Sequence, residues 1–396
     1  MPEELALHGG PPVRSSLLPY GRHNLEDDDV AAVLESLRGG WLTTGPTIGR
    51  LERAVAERVG ARHAVAVSSG TAALHAAVFA AGIGPGDEVI APPLTFAATT
   101  NVVLYQGGLP VFADVRADTL TLDPDDVERR LTPRTRAVIA VDYAGQPCDL
   151  DALRGLTRRR GLVLIEDAAH ALGAEYHGRP LGALADLTTW SFHPVKHVTT
   201  GEGGMITTDD AGLAARCARF RNHGIATDAA EREARGDWFY EMTDLGFNYR
   251  LTDLQCALGL AQLAKLDRFL QRRRAVAERY RAALDDLAAL SLPAVAPDVS
   301  HAWHLFPVLL QLERLSADRR TVFSALRAEG IGVNVHYIPV YWHPYYQRLG
   351  YEKGLCPRAE AVYERLLTLP LFPAMNERDV DDVVRAVRKV VGHFAR

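Results

Sequence analysis

Lysine is almost missing from this chain: Lys196, Lys265, Lys353 and Lys389 are the only four among 44 basic residues in 396. Cysteine is as scarce, since Cys148, Cys217, Cys256 and Cys356 lie far apart and form no CxxC pair. Such spacing excludes a disulfide framework and a structural zinc site, no metal is expected, and a reducing, cytoplasmic compartment is the natural setting. A surplus of positive charge is also lacking, with 44 basic against 49 acidic residues and a formal charge of -5. Proteins that neutralise nucleic-acid phosphates normally carry such a surplus, so no nucleic-acid partner is expected. No apolar run reaches the roughly 18 residues of a membrane-spanning helix. The opening MPEELALHGGPPVR carries two acids and no apolar segment, so neither a signal peptide nor a membrane partner is expected.

What remains is ordinary globular composition, 47% hydrophobic and 23% charged with a mean hydropathy of -0.06. The length is that of two domains. From about residue 50 to 210, short apolar runs alternate with helical patterns. Strands are expected at 64–67, 88–91, 109–113, 137–141, 162–166 and 205–208, and helices at 50–60, 71–81, 95–105, 124–131 and 149–160. Apolar runs of four to six residues separated by helices indicate a parallel sheet covered on both faces, hence an α/β class. Beyond 250 one long helical pattern, with a kink expected near 265–267, leads to strands at 303–310 and 333–336 and helices at 319–329 and 377–391. The division expected is a large α/β domain with an N-terminal arm over 1–265 and a small α+β domain over 266–396.

Three segments carry groups suited to chemistry. Ser68-Ser69-Gly70-Thr71 lies between a strand and a helix, where free N–H groups and small side chains admit a phosphate; an ordinary N-cap would read the same way. Glu166-Asp167-Ala168-Ala169-His170 follows the strand LVLI. A carboxylate there stands where open α/β sheets bind ligands, and Asp167 is placed to face a cationic ring nitrogen or simply to cap the next turn. Ser191-Phe192-His193-Pro194-Val195-Lys196 precedes a Thr/Gly-rich turn. A lysine desolvated in such a turn is a nucleophilic amine, whereas a solvated one is only a surface charge.

Together the three are more specific than any one of them. A phosphate cradle, a post-strand Asp, and a Lys 29 residues beyond it, in that order on an α/β scaffold, are what pyridoxal phosphate requires. The lysine would bond the cofactor aldehyde, the aspartate would keep the ring nitrogen protonated, and the cradle would anchor the phosphate.

The segments SSGTAALHAA, DEVIAPPLTFAATTNVVLYQGGLPVFADV, IEDAAHALGAEY, SFHPVKHVTTGEGGMITT, FRNHG and FNYRLTDLQCALGLAQL resemble the DegT/StrS-type family of nucleotide-sugar aminotransferases, in order and over nearly the whole chain. The resemblance implies the pyridoxal phosphate fold of the aspartate aminotransferase type (fold type I) and a catalytic group of Lys196, Asp167 and His170. The cofactor would be held by Ser69, Gly70, Thr71, Phe96 and Ser191 as well, with Asn248 and Arg250 reaching into the neighbouring site of a homodimer. Tyr20, Gly40, Trp41, Leu42, Thr43, Ser69, Asn248, Arg250, His336 and Tyr337 match positions the family uses around the nucleotide sugar. Within the family, VDYAGQPCDLDAL, VNVHYIPVY and LPLFPAMNERDVDDVV look most like the branch that aminates C4 of a UDP-4-keto-6-deoxy-N-acetylhexosamine on a pseudaminic acid route, with L-glutamate as donor. The cofactor motifs do not separate this sugar from other nucleotide-linked keto sugars aminated at C4 or C3, and a cofactor-binding regulator without turnover is a third reading. A dehydratase branch carries histidine in place of the lysine; here the lysine is present.

Overall fold

The structure is a computed structural model and describes residues 4–227 and 236–396. Its larger sheet has seven strands: β1 (His63–Val67), β2 (Glu88–Ala91), β3 (Leu109–Phe112), β4 (Thr135–Val141), β5 (Val163–Asp167), β8 (Leu187–Ser191) and β9 (Gly204–Thr208). Between β5 and β8 lie two short strands, β6 (Glu175–Tyr176) and β7 (Arg179–Pro180). The order across the large sheet is β1-β9-β8-β5-β4-β2-β3. Strands β8, β5, β4, β2 and β3 pair in parallel, and β9 alone runs against both neighbours. The carboxyl ends of the other six therefore share one edge of the sheet.

Burial explains the composition of these strands. All seven residues of β4 but Arg136 are buried, as are all of β2 and β9, because helices cover both faces. The helix Gly70–Ala80 has five alanines and eight of its eleven residues are buried. Small side chains let it lie between the sheet and the helix Ala211–Arg221, where larger ones would overpack.

Residues 253–284 form two helices, Asp253–Leu263 and Leu266–Leu284, broken where the kink is expected. Lys265 sits in the break and its Nζ reaches Asp28 Oδ1 at 2.7 Å and Asp29 Oδ2 at 2.6 Å, tying down the helix Asp27–Arg38. A second, antiparallel sheet follows, made of β10 (Leu290–Ser291), β12 (Phe306–Leu310) and β13 (Leu366–Leu369), while β11 (Val299–Ser300) joins β6 and β7. The helices Arg319–Ala328 and Glu377–Phe394 share an apolar core with this sheet, and Leu5 and Leu18 of the N-terminal arm enter that core.

Three expected elements differ. The helix expected from 95 starts at Ala98: Thr95 and Phe96 belong to the loop before it, and the Thr95 hydroxyl shares a hydrogen bond with that of Thr99 in the first turn. The strand expected from 303 starts at Phe306: the His304 and Leu305 amides both donate to the Ala144 carbonyl, and Trp303 takes a left-handed backbone, φ 51°. The strand expected at 333–336 is an irregular segment, with only Asn334 bridging to Thr368 of β13. All four cysteines are free and buried. Among the described residues no helix is long and apolar enough to cross a membrane.

Candidate active site

A cavity of about 450 Å³ opens at the carboxyl edge of the large sheet. Five of the six strand ends contribute to its wall: Ser69, Gly70 and Thr71 after β1, Thr95, Phe96 and Thr99 after β2, Val141 of β4, Asp167 and His170 at β5, and Ser191 and Lys196 at β8. Tyr20 of the N-terminal arm and His304 and Tyr337 of the C-terminal half close the far side. Such crevices outside strand ends are where open α/β sheets take ligands.

Strand alternation selects between the two adjacent acids. Asp167 faces the cavity, while Glu166 points to the opposite side, accepts from Thr188 Oγ1 at 2.8 Å and is pushed up to about 7 by burial. Asp167 accepts from Thr99 Oγ1 at 2.7 Å and from the Ala169 amide at 3.2 Å. Burial raises its pKa against those hydrogen bonds and the Lys196 charge. A cationic ring nitrogen at this carboxylate would reverse that cost.

Lys196 stands on a closed loop. Phe192 N–H donates to the Gly203 carbonyl at 2.8 Å, Thr200 N–H returns to the Phe192 carbonyl at 3.0 Å, and Lys196 N–H bonds the His193 carbonyl at 2.9 Å. The amine projects into the cavity, and desolvation lowers its pKa to about 8, with Asp167 opposing the shift and Arg273 adding to it. About a tenth of the amines are then neutral at pH 7, against roughly one in three thousand at the ordinary value of 10.5.

The cradle is built from small residues. Ser69 caps the helix Gly70–Ala80, its Oγ accepting from the Ala72 amide at 3.0 Å, and the first amides of a helix have no carbonyl ahead of them. A Cβ on Gly70 would lie 2.8 Å from Ser191 Cβ. Gly70→Ala is therefore expected to close the cradle and weaken pyridoxal phosphate binding about tenfold to a hundredfold, the effect of 1–3 kcal/mol of overpacking. Spectroscopic titration with the cofactor measures this, and Gly84→Ala, whose Cβ meets only Asp87 Oδ2 at 4.0 Å, serves as the control.

An amine of lowered pKa, a buried acceptor across the cavity, and a small-residue helix start together fit a ligand bearing an aldehyde, a cationic ring and a phosphate. His170 adds an Nδ1 that is buried without a partner, while its Nε2 lies 3.1 Å from the Tyr337 hydroxyl. Burial holds this imidazole neutral.

Of the residues expected from the sequence, Tyr20, Ser69, Gly70, Thr71, Phe96, Asp167, His170, Ser191, Lys196 and Tyr337 line this cavity. His336 stands just behind, its ring 5.0 Å from that of Tyr20. Gly40, Trp41, Leu42 and Thr43 do not line it; they form an exposed turn, the Leu42 carbonyl taking the Asp253 amide at 3.1 Å. Asn248 and Arg250 are outside it too, Asn248 bridging to Asn222 and Arg250 Nη1 donating to Asn222 Oδ1 at 2.6 Å. Two residues that sequence reasoning did not single out are present: Thr99, which holds Asp167, and His304, whose Nε2 is 3.4 Å from Lys196 Nζ. The period of the helix after 95 could have marked Thr99 as facing the strand ends, whereas nothing local marks His304.

This fold and this site are those of a pyridoxal phosphate enzyme. The family model described as the DegT/DnrJ/EryC1/StrS aminotransferase family matches residues 23–388, and the chain belongs to that family. The spore coat polysaccharide biosynthesis protein SpsC of Bacillus subtilis is 44% identical over 381 residues, 96% of this chain and 98% of that protein. Helicobacter pylori PseC, an aminotransferase involved in pseudaminic acid biosynthesis, superposes with a TM-score of 0.89 at 30% identity over 96% of this chain and all of that one. The sugar aminotransferase Spr1654 of Streptococcus pneumoniae, solved in a PMP form, gives a TM-score of 0.89 at 31% identity over 95% and 99% of the two chains. The protein is a pyridoxal phosphate-dependent sugar aminotransferase.

Proposed function

We propose that the enzyme moves the amino group of L-glutamate to the C4 keto carbon of a UDP-linked 4-keto-6-deoxy-N-acetylhexosamine, as a pseudaminic acid-type pathway needs. The observation that carries this reading is the single cavity in which Lys196 faces Asp167, with Tyr20 and Tyr337 at its far side. The motifs around 333–341 and 369–384 support the choice of sugar. Another nucleotide-linked keto sugar, aminated at C4 or C3, is the second reading, favoured by the 44% identity to SpsC against 30% to PseC. A cofactor-binding regulator without turnover is the remote alternative.

The roles follow from position. Pyridoxal phosphate, when bound, supplies the carbonyl that accepts an amine and the electron-withdrawing ring that acidifies the donor's Cα–H. Ser69, Gly70, Thr71 and Ser191 hold its phosphate, and Phe96 and His170 flank its ring. Asp167 keeps the proton on the ring nitrogen. Lys196 Nζ takes the Cα proton from the donor and delivers one to the sugar carbon in the second half-reaction. Donor and sugar use the same cavity in turn, so ping-pong kinetics are expected.

A homodimer in a cytoplasmic setting belongs to the same reading. Trp238 and Leu245 are 84% and 79% exposed, with Phe239, Met242, Trp41 and Leu42 exposed as well. This is apolar surface that a second copy would cover. Asn248 and Arg250 lie on the same stretch of chain, and in the homodimer they would complete the partner's site.

Visible absorbance tests the proposal. L-glutamate should bleach the band of the lysine-linked cofactor, and the UDP-keto sugar should restore it. Restoration by another keto sugar in a small panel, but not by this one, would transfer the assignment to the second reading. A band that no amino acid bleaches would leave only the regulator. In the cofactor-free protein the Lys196 amine is lowered to about 8, so the visible band should form on adding pyridoxal phosphate about fivefold faster at pH 8 than at pH 7, because only the neutral amine attacks the aldehyde.

A further inference from the structure

Arg273, on the helix Leu266–Leu284, is 1% exposed and has no carboxylate partner among the described residues. A buried guanidinium is costly unless it is fully bonded. Its bonds go to main-chain carbonyls instead: Nη1 donates to Trp303 at 3.2 Å, His304 at 3.3 Å and Leu371 at 3.1 Å, and Nη2 to Val195 at 3.4 Å. Nε is buried without a partner. Val195 is the residue before Lys196, and His304 is the residue whose Nε2 lies 3.4 Å from the lysine amine. Three segments distant in sequence are thus clamped by one side chain that does not itself line the cavity.

We propose that Arg273 is a positioning residue for Lys196: it fixes the lysine turn against the His304 segment and sets an uncompensated positive charge beneath the amine. The proposal rests on Lys196 being the reacting amine. A neutral side chain could hold the carbonyls only in part, and the charge has a separate consequence. A cation facing an ammonium disfavours it, so the guanidinium helps keep Lys196 in the neutral form a base needs. The other groups facing the lysine are Asp167 at the end of β5, His170 after it, His197 on its own loop, His304 before β12, and His336 on the C-terminal side. The four imidazoles are held neutral, mainly by burial, which leaves Asp167 and Arg273 as the opposed charges.

The test reads the amine itself and not turnover. Full-length protein stripped of cofactor is acylated with a small reagent across pH 6 to 10, and Lys196 modification is followed by peptide mass spectrometry with exposed Lys353 as the internal reference. Arg273→Gln should move the Lys196 midpoint up by about one unit, which is about tenfold slower labelling at pH 7. Arg273→Leu, which also gives up the remaining carbonyl contacts, should move the midpoint at least as far and lower the melting temperature further. A folded Gln variant with the wild-type midpoint overturns the proposal, as does a folded Leu variant with that midpoint. Failure of both variants to fold would make Arg273 a residue of the fold alone and overturn it equally. A wild-type Lys196 that labels like Lys353 would instead refute the activated amine, so the two failures are distinguishable.

Discussion

Replacing Lys196 with alanine is expected to lower sugar amination by about 10⁴-fold or more, since one side chain is asked for both the covalent link and the proton transfer. Each function needs a neutral primary amine beside the ring. No second lysine can substitute: Lys265 is engaged by Asp28 and Asp29, Lys389 by Glu329, and Lys353 lies over the Trp342 ring. Lys196→Arg should be as inactive, because a guanidinium cannot be deprotonated at working pH. The alanine variant should still bind pyridoxal phosphate through the cradle and Asp167, but without the visible band of the lysine-linked form. Binding retained with turnover lost separates a chemical role from a structural one. Amination surviving in Lys196→Ala at more than about a hundredth of the wild-type rate would remove the lysine from the mechanism.

Much of this was legible in the sequence because it is local. The strands β2, β4, β5 and β9 are short apolar runs buried on both faces, and that burial is what makes them readable. Ser69 and Lys196 follow strands and Asp167 ends one, so a parallel sheet gathers them at one edge. The parts that were missed depend on contacts between distant segments. His304 meets Lys196 because residues 302–305 bond to the turn Tyr143–Gly145 and leave the expected strand, a choice made 160 residues away. The same holds for 333–336, where only Asn334 forms a backbone bridge to β13 and His336 reaches it through its ring, Nδ1 3.0 Å from Thr368 Oγ1. Arg273 reads in the sequence as one more arginine in QRRRAVAERYR; only the packed helix shows that it alone of the five is buried, with its charge unpaired. The exposed turn 40–43 and Arg250 fall outside the cavity that one chain forms; in the homodimer proposed above, Arg250 would serve the partner's site.

Asp167→Asn should lower the rate of the glutamate half-reaction by on the order of 10³-fold, the scale of losing one preorganised charge partner in a dry site. The substitution keeps the shape: Thr99 Oγ1 at 2.7 Å and the Ala169 amide at 3.2 Å already approach the side chain, and an amide oxygen can accept from one of them. What the amide cannot do is hold a proton on the ring nitrogen, so the ring withdraws fewer electrons when the donor's Cα–H must break. The buried position makes the effect large. A carboxylate desolvated there remains ionised only if a cation compensates it, and the same low dielectric strengthens its hold on that cation. Thr99→Val removes one hydrogen bond from the carboxylate and leaves its charge, so a loss of about tenfold to a hundredfold is expected, matching about 1.5–3 kcal/mol for a hydrogen bond to a charged group. Cofactor affinity should change far less than the rate in both variants, because the phosphate cradle is untouched. Stopped-flow bleaching by L-glutamate gives the rates, and equilibrium titration with pyridoxal phosphate gives the affinities. An Asp167→Asn enzyme within about tenfold of wild type would show that the ring nitrogen needs no partner here, and the role of Asp167 would then be only to cap the turn that carries His170.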